Sequence, residues 1–157
     1  MTEDREGDDI INPFEHIVIE IDDVEIDGWI RVNFPKISTE KVEIRTGDER
    51  EEEQRFLERT VFEDLEVERL YEPEDSYLWD WKESTRSGDV EEAIREVRVI
   101  ILDDEGTPRI QYVFHNAWIK DYDPPELAMF TEEELDRLPS ETAVLDFDNM
   151  RREPLRE

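Results

Sequence analysis

The stretch Ala93–Trp118 reads AIREVRVIILDDEGTPRIQYVFHNAW. Two β-branched and aromatic runs, Ala93–Leu102 and Arg109–Trp118, flank the acidic turn Asp103-Asp104-Glu105-Gly106. Runs of this composition bounded by such a turn predict an antiparallel hairpin. Outward from it, the same pattern recurs. His16–Ile21 and Val24–Phe34 predict two strands joined by Asp22-Asp23, the second broken at Pro35, which has no N–H to give a ladder. Thr39–Thr46 alternates Val42 and Ile44 against Lys41, Glu43 and Arg45, a half-exposed strand. Val61–Tyr71 predicts another single strand, and Ala143–Met150 a last one.

Between the strands, Pro73–Ser87 reads as a helix. Pro73, Glu74 and Asp75 suit its start, Tyr77, Leu78 and Trp81 share one face, and Gly88 stands at its stop. Thr131 with Glu134 forms a capping box, so Glu132–Leu138 predicts a short helix in the C-terminal half, ended by Pro139. Thr46–Arg59 holds the charge run Asp48–Glu53 with only Phe56 and Leu57 as apolar anchors, which predicts a projecting loop or hairpin arm. About seven strands with one main helix imply a mainly β chain, an antiparallel barrel or sandwich of two sheets flanked by that helix. Residues 1–11 read as a flexible acidic arm and 12–157 as a single domain.

Composition narrows function. The chain has 157 residues, 47 Asp and Glu against 19 Lys and Arg, a formal charge of −28, and no cysteine. Thiolate chemistry and disulfides are excluded. The charge opposes nucleic acid and anionic lipid as direct partners, and no segment has the run of about 20 apolar residues that a spanning helix needs. Acids interleaved with core residues suit a protein in molar salt, where a Debye length of about 3 Å tolerates such density. The expected setting is the cytoplasm of an extreme halophile, with an acidic DNA mimic from a mesophile as the weaker reading.

Catalytic signals are weak. With so many acids, paired carboxylates carry no information. Asp22, Asp23 and Asp27 before Gly28 lack the alternate-position spacing of a calcium loop. His16 and His115 lie in predicted strands without an evident partner set. There is no phosphate-binding glycine loop and no nucleophile elbow. The expectation is a protein that is not an enzyme, with no catalytic residue, metal or cofactor. Leu78, Trp79 and Trp81 read as helix packing, with subunit contact as the use of Trp79 if it points away from the other two.

Several motifs, in order, resemble a known family. They are Asn12-Pro13-Phe14, Ile19-Glu20-Ile21-Asp22 running to Gly28-Trp29, Leu78-Trp79-Asp80-Trp81 with the exit Ser87-Gly88-Asp89, Phe114-His115-Asn116-Ala117-Trp118, and Glu141–Phe147. Together, over residues 12 to 153, they resemble the inner tube proteins of contractile phage tails and of contractile injection systems. The acidic arm after the third strand and the long Pro124–Pro139 segment depart from the family's usual pattern.

The resemblance implies six copies in a ring and rings stacked head to tail into a hollow tube. It implies sheath and baseplate proteins as partners, cargo or DNA as passive lumen content, and no membrane binding of its own. Such a subunit would be assembled in the cytoplasm and carried in a released or cell-associated tail-like particle. Candidate ring-to-ring residues are Glu49, Arg50, Glu53, Arg55, Phe56 and Arg59, whose mixed signs could set register. The alternative is a salt-adapted acidic β-barrel adaptor that stays monomeric.

Overall fold

The computed structural model describes residues 16–44, 55–127 and 139–155. In chain order these form β1 (Ile17–Ile21), β2 (Val24–Ile26), β3 (Trp29–Asn33), β4 (Ile37–Ile44), β5 (Arg55–Phe62), β6 (Leu65–Leu70), α1 (Tyr77–Ser87), α2 (Val90–Ala93), β7 (Arg95–Leu102), β8 (Pro108–Asp123), β9 (Ser140–Asp146) and β10 (Asn149–Pro154). The main sheet runs β2-β1-β7-β8-β9-β6-β3 with β10 also on β8, while β4 and β5 make a separate two-stranded ribbon. All pairings are antiparallel.

The fold is the expected mainly β architecture of two packed faces with a flanking helix. Two junctions make two faces from one ladder. β8 pairs through Ile110–His115 with β10 and through Trp118–Asp123 with β9, and between these halves Asn116 takes φ 55, a left-handed conformation that asparagine tolerates. Asn116 Nδ2 donates to Asp148 Oδ2 at 2.9 Å, and Asp148 N donates to the His115 carbonyl at 2.9 Å, tying this bend to the β9–β10 bend opposite. Likewise β2 and β3 sit at the two ends of the strand path although only Asp27 and Gly28 separate them. Gly28 has φ 93, which lets the chain leave one face for the other, and its carbonyl accepts from Leu70 N at 2.8 Å.

Strand alternation fills the space between the faces. β6 presents Leu65 and Val67 inward, β9 presents Ala143 and Leu145, β1 presents Ile19 and Ile21, and β7 presents Val97 and Val99. Phe114 and Ile119 of β8 and Leu78 and Trp81 of α1 complete the core. Phe114 and Phe147 meet edge to face at 5.1 Å, a favourable arrangement of the ring quadrupoles.

Several elements differ from the sequence expectation. Val61–Tyr71 is two strands, because β5 turns into β6 at Glu63-Asp64, and Ala143–Met150 is likewise divided between β9 and β10. At both bends the inward phase shifts, Phe62 and then Leu65 packing inward with Glu63 exposed between them, and Phe147 and then Met150 with Asp148 and Asn149 exposed, so a reading of one continuous alternation runs past the break. The helix starts at Tyr77 rather than Pro73: Glu72 and Asp75 are joined by a turn hydrogen bond of 2.9 Å, and Asp75 Oδ1 accepts from Tyr77 N at 3.1 Å. The α1 stop is as expected, with Gly88 at φ 81 and Asp89 N donating to the Ser84 carbonyl at 3.0 Å. The four-residue α2, capped by Asp89, was not legible in the periodicity. The expected acidic arm, Asn12-Pro13-Phe14 and the capped helix Glu132–Leu138 lie outside the described residues.

The candidate assembly surface and a charged cluster beside it

The helix sorts its own apolar residues. Leu78 and Trp81 are buried to 1% exposure or less, and Trp81 Nε1 donates to the Ala93 carbonyl at 2.7 Å, pinning α1 to α2. Arg95 lies 5.0 Å above the Trp81 ring and 5.4 Å from that of Tyr77, whose hydroxyl accepts from its Nη1 at 2.8 Å. Leu78 and Trp81 are therefore packing residues and not contact surface, which narrows the candidates on α1 to Trp79. It is 49% exposed and leans edge-on against Tyr122 at 5.9 Å. Lys82 from the next turn donates to the carbonyls of Lys120 at 3.1 Å and Ile119 at 3.5 Å, so the helix caps backbone groups along the second half of β8.

The β4–β5 ribbon is held in register from Ile37↔Phe62 to Ile44↔Arg55. Arg59, one of the expected interface residues, donates to Glu40 across it at 3.0 Å, and both side chains are exposed. Such a pair contributes at most about 1 kcal/mol but fixes the local pattern of charge. Glu49, Arg50 and Glu53 lie outside the described residues, as do the side chains of Arg55 and Phe56. Among the described residues, β2, β3 and β10 each pair on one side only, leaving backbone groups open to another chain.

The turn Asp22-Asp23 is structural: both residues have positive φ, 52 and 69, and Asp22 Oδ1 accepts from Glu96 N at 2.9 Å. His115 Nε2 accepts from Arg151 Nε at 2.9 Å, and His16 lies 3.5 Å from Asp104. Among the described residues no three His, Asp or Glu side chains converge as metal ligands.

A charged cluster not foreseen in the sequence lies where β6 and β9 end. Arg69 and Glu141 stand opposite each other in the ladder, each continuing the inward-facing row of its strand. Arg69, 4% exposed, donates to Asp75 Oδ1 at 3.1 Å and Oδ2 at 2.6 Å, and its Nε donates to the Asp27 carbonyl at 2.7 Å. Its guanidinium also lies 5.6 Å from the Trp29 ring. These bonds hold the Asp75 carboxyl below the usual carboxylate range. Glu141 Oε1 accepts from the Tyr122 hydroxyl at 2.6 Å, whereas its Oε2 is buried without a hydrogen bond and lies 3.9 Å from Arg69 Nη1. Burial pushes the Glu141 carboxyl up, and burial beside that acid pushes the Tyr122 phenol up. The signal available beforehand was the inward phase of Arg69 and Glu141. It was masked by the abundance of acids elsewhere.

With this geometry in view, the likenesses to known proteins have a clear sense. Residues 14–148 match the family model for the T4-like virus tail tube protein gp19. No curated protein matches by sequence. Among solved structures, the chain is similar to one in the cap that terminates the tube of the anti-feeding prophage, with a TM-score of 0.69 at 11% identity over 93% of this chain and 92% of that one. It is also similar to a chain in the PVC sheath–tube complex, an extracellular contractile injection system in its extended state, with a TM-score of 0.69 at 16% identity over 99% of both chains. Hcp1 from Flavobacterium johnsoniae superposes with a TM-score of 0.53 at 12% identity, over 87% of this chain and 94% of that one. At these identities the structural likeness establishes the fold, two curled sheet faces with one flanking helix, and the family match spans most of the length. The chain belongs to the T4-like virus tail tube protein gp19 family.

Proposed function

We propose that this chain is the repeating subunit of the inner tube of a contractile tail or injection particle, six copies closing into a ring and rings stacking into a hollow tube that a contracting sheath drives through a target envelope. The observation that carries this reading is the family match over residues 14–148. One-sided strands β2, β3 and β10 offer edges for neighbours within a ring. The β4–β5 ribbon contacts the next ring, with Glu49, Arg50, Glu53, Arg55, Phe56 and Arg59 as the candidate residues. Trp79 is the exposed aromatic available to a neighbouring chain. The role is mechanical, with sheath and baseplate proteins as partners and cargo or DNA as passive content.

The formal charge of −28 supports assembly in the cytoplasm of an extreme halophile. Copies carrying this charge repel one another in dilute buffer, and screening in about 2 to 3 M salt removes that barrier. Negative-stain electron microscopy of purified protein in such salt should show rings or stacked tubes. Dispersed monomers at high concentration, in molar as in dilute salt, would refute the reading and favour the monomeric adaptor. Circular dichroism after dialysis to low salt tests the halophile setting, where an unchanged spectrum counts against it.

A further inference from the structure

A notch of about 190 Å³ opens where the C-terminal end of α1 meets α2, over Trp118 of β8. Val90 and Ile94 on its rim are 65% and 38% exposed, and Thr85, Gly88 and Ala93 complete its walls. An apolar space of about 150 Å³ takes a benzene-sized group, so this one accommodates a branched aliphatic side chain. Acids surround it: Asp89, Glu91 and Glu92 all belong to α2 or its cap, and Glu91 is exposed with no ion pair among the described residues.

The other large exposed apolar side chains among the described residues stand beside acids, with one exception. Val24 lies between Asp23 and Glu25, Trp79 precedes Asp80, and Leu127 follows Glu126. Ile37, 55% exposed at the bend from β3 into β4, has Lys36 and Ser38 as its neighbours. The exposed Lys36 side chain makes no ion pair or hydrogen bond among the described residues. Copies carrying −28 repel one another overall, so a contact between them needs a cation set beside its apolar group, and Ile37 is the described knob that has one.

Knob and notch lie on opposite flanks of the β8-β9-β6-β3 run, since α1 covers the free side of β8 through Lys82 and β3 ends the run. Along the strands they are level. Trp118 stands opposite Asp146, and the β9–β6 register continues from Leu145↔Leu65 to set Asp146 beside Asp64. Lys36 is tied to the adjoining residue, its carbonyl accepting from Glu63 N at 3.0 Å. Complementary surfaces at one level on opposite flanks close into a ring, whereas an offset between them winds into a filament.

We propose that Ile37 of one copy seats in the Val90–Ile94–Trp118 notch of the next copy in the ring, with Lys36 against Glu91. This contact rests on the ring proposed above and supplies the residues through which it closes.

The chain has no cysteine, so introduced thiols report the contact alone. Ile37→Cys and Val90→Cys variants of the full chain are purified separately, mixed in about 2 to 3 M salt and treated with bis-maleimidoethane. The mixture should give a covalent dimer at least about tenfold faster than either variant by itself, because docking holds the two thiols at an effective concentration of roughly 1 mM. Val90→Cys linking to itself as fast as the mixture would mean that notch meets notch and would overturn the proposal. An equally slow rate in all three samples would also overturn it, leaving the notch to a different protein. Both positions are exposed, and should either variant fail to fold by circular dichroism, Lys36→Cys with Glu91→Cys is judged by the same ratio. Electron microscopy of the unsubstituted chain in the same salt separates the two readings: rings without the crosslink overturn this contact alone, and the crosslink without rings supports the contact while overturning the tube.

Discussion

Replacing Arg69 by Met keeps the length and apolar stem of the side chain while removing its charge, and so isolates what the guanidinium does. In the native protein it makes two hydrogen bonds to Asp75 and one to the Asp27 carbonyl, and faces Glu141 at 3.9 Å. Asp75, with 35% of its side chain exposed, can turn to water when the partner goes. Glu141, at 3%, cannot. Removing one member of a buried ion pair costs about 3 to 5 kcal/mol because an uncompensated charge remains. In a chain of this size that lowers the melting temperature by roughly 6 to 20 °C.

Chemical unfolding in urea, followed by tryptophan fluorescence, gives the free-energy difference directly. Glu141→Gln in the Arg69→Met background should recover about 1 to 2 kcal/mol, since the stranded charge is then gone, and this coupling separates the charge argument from simple loss of packing. A loss below about 1 kcal/mol for Arg69→Met, or no recovery in the double variant, would refute the reasoning.

Asp23→Gly should stabilise the protein by roughly 0.5 to 1 kcal/mol, because Asp23 holds φ 69 in a two-residue turn and is otherwise exposed, its ion pair with Arg98 being 3.7 Å long; thermal melting checks it. Trp81→Phe should cost about 2 to 3 kcal/mol, from the lost bond to the Ala93 carbonyl and the space the smaller ring leaves, measured by the same urea titration. The pH dependence carries two opposite signs. Glu68 and Asp75 are held below the usual carboxylate range, Glu68 by hydrogen bonds from Ser140 and Arg31 and Asp75 by Arg69, so their contribution is present above that range and lost as pH falls through their folded values. Glu141 is held up by burial, so the fold favours its protonated form and that contribution is lost as pH rises through its folded value. Stability profiles from pH 3 to 8 should therefore show Glu141→Gln removing the alkaline decline and leaving the acid limb in place.

Much of the architecture was legible because it depends on local signals. The hairpin of β7 and β8, the acidic turn after β1 and the Gly88 stop of α1 each follow from a few adjacent residues whose backbone preferences agree. Division of Val61–Tyr71 and of Ala143–Met150 into two strands was not legible, since the inward phase shifts at each bend, from Phe62 to Leu65 and from Phe147 to Met150, and what ends each strand is the face it joins. On the candidate surface, residue types picked out Trp79, Leu78 and Trp81 together. Only packing separated one exposed ring from two core residues.

The sequence by itself determined the strand-rich class, the one main helix and the motif order shared with tail tube proteins, because period, turn chemistry and caps act over a few residues. The tertiary structure alone decided that Arg69 and Glu141 face each other. Their pairing joins positions 72 residues apart in the chain, and in a sequence with 47 acids no local pattern distinguishes the carboxylate that, among the described residues, burial leaves with one oxygen unbonded.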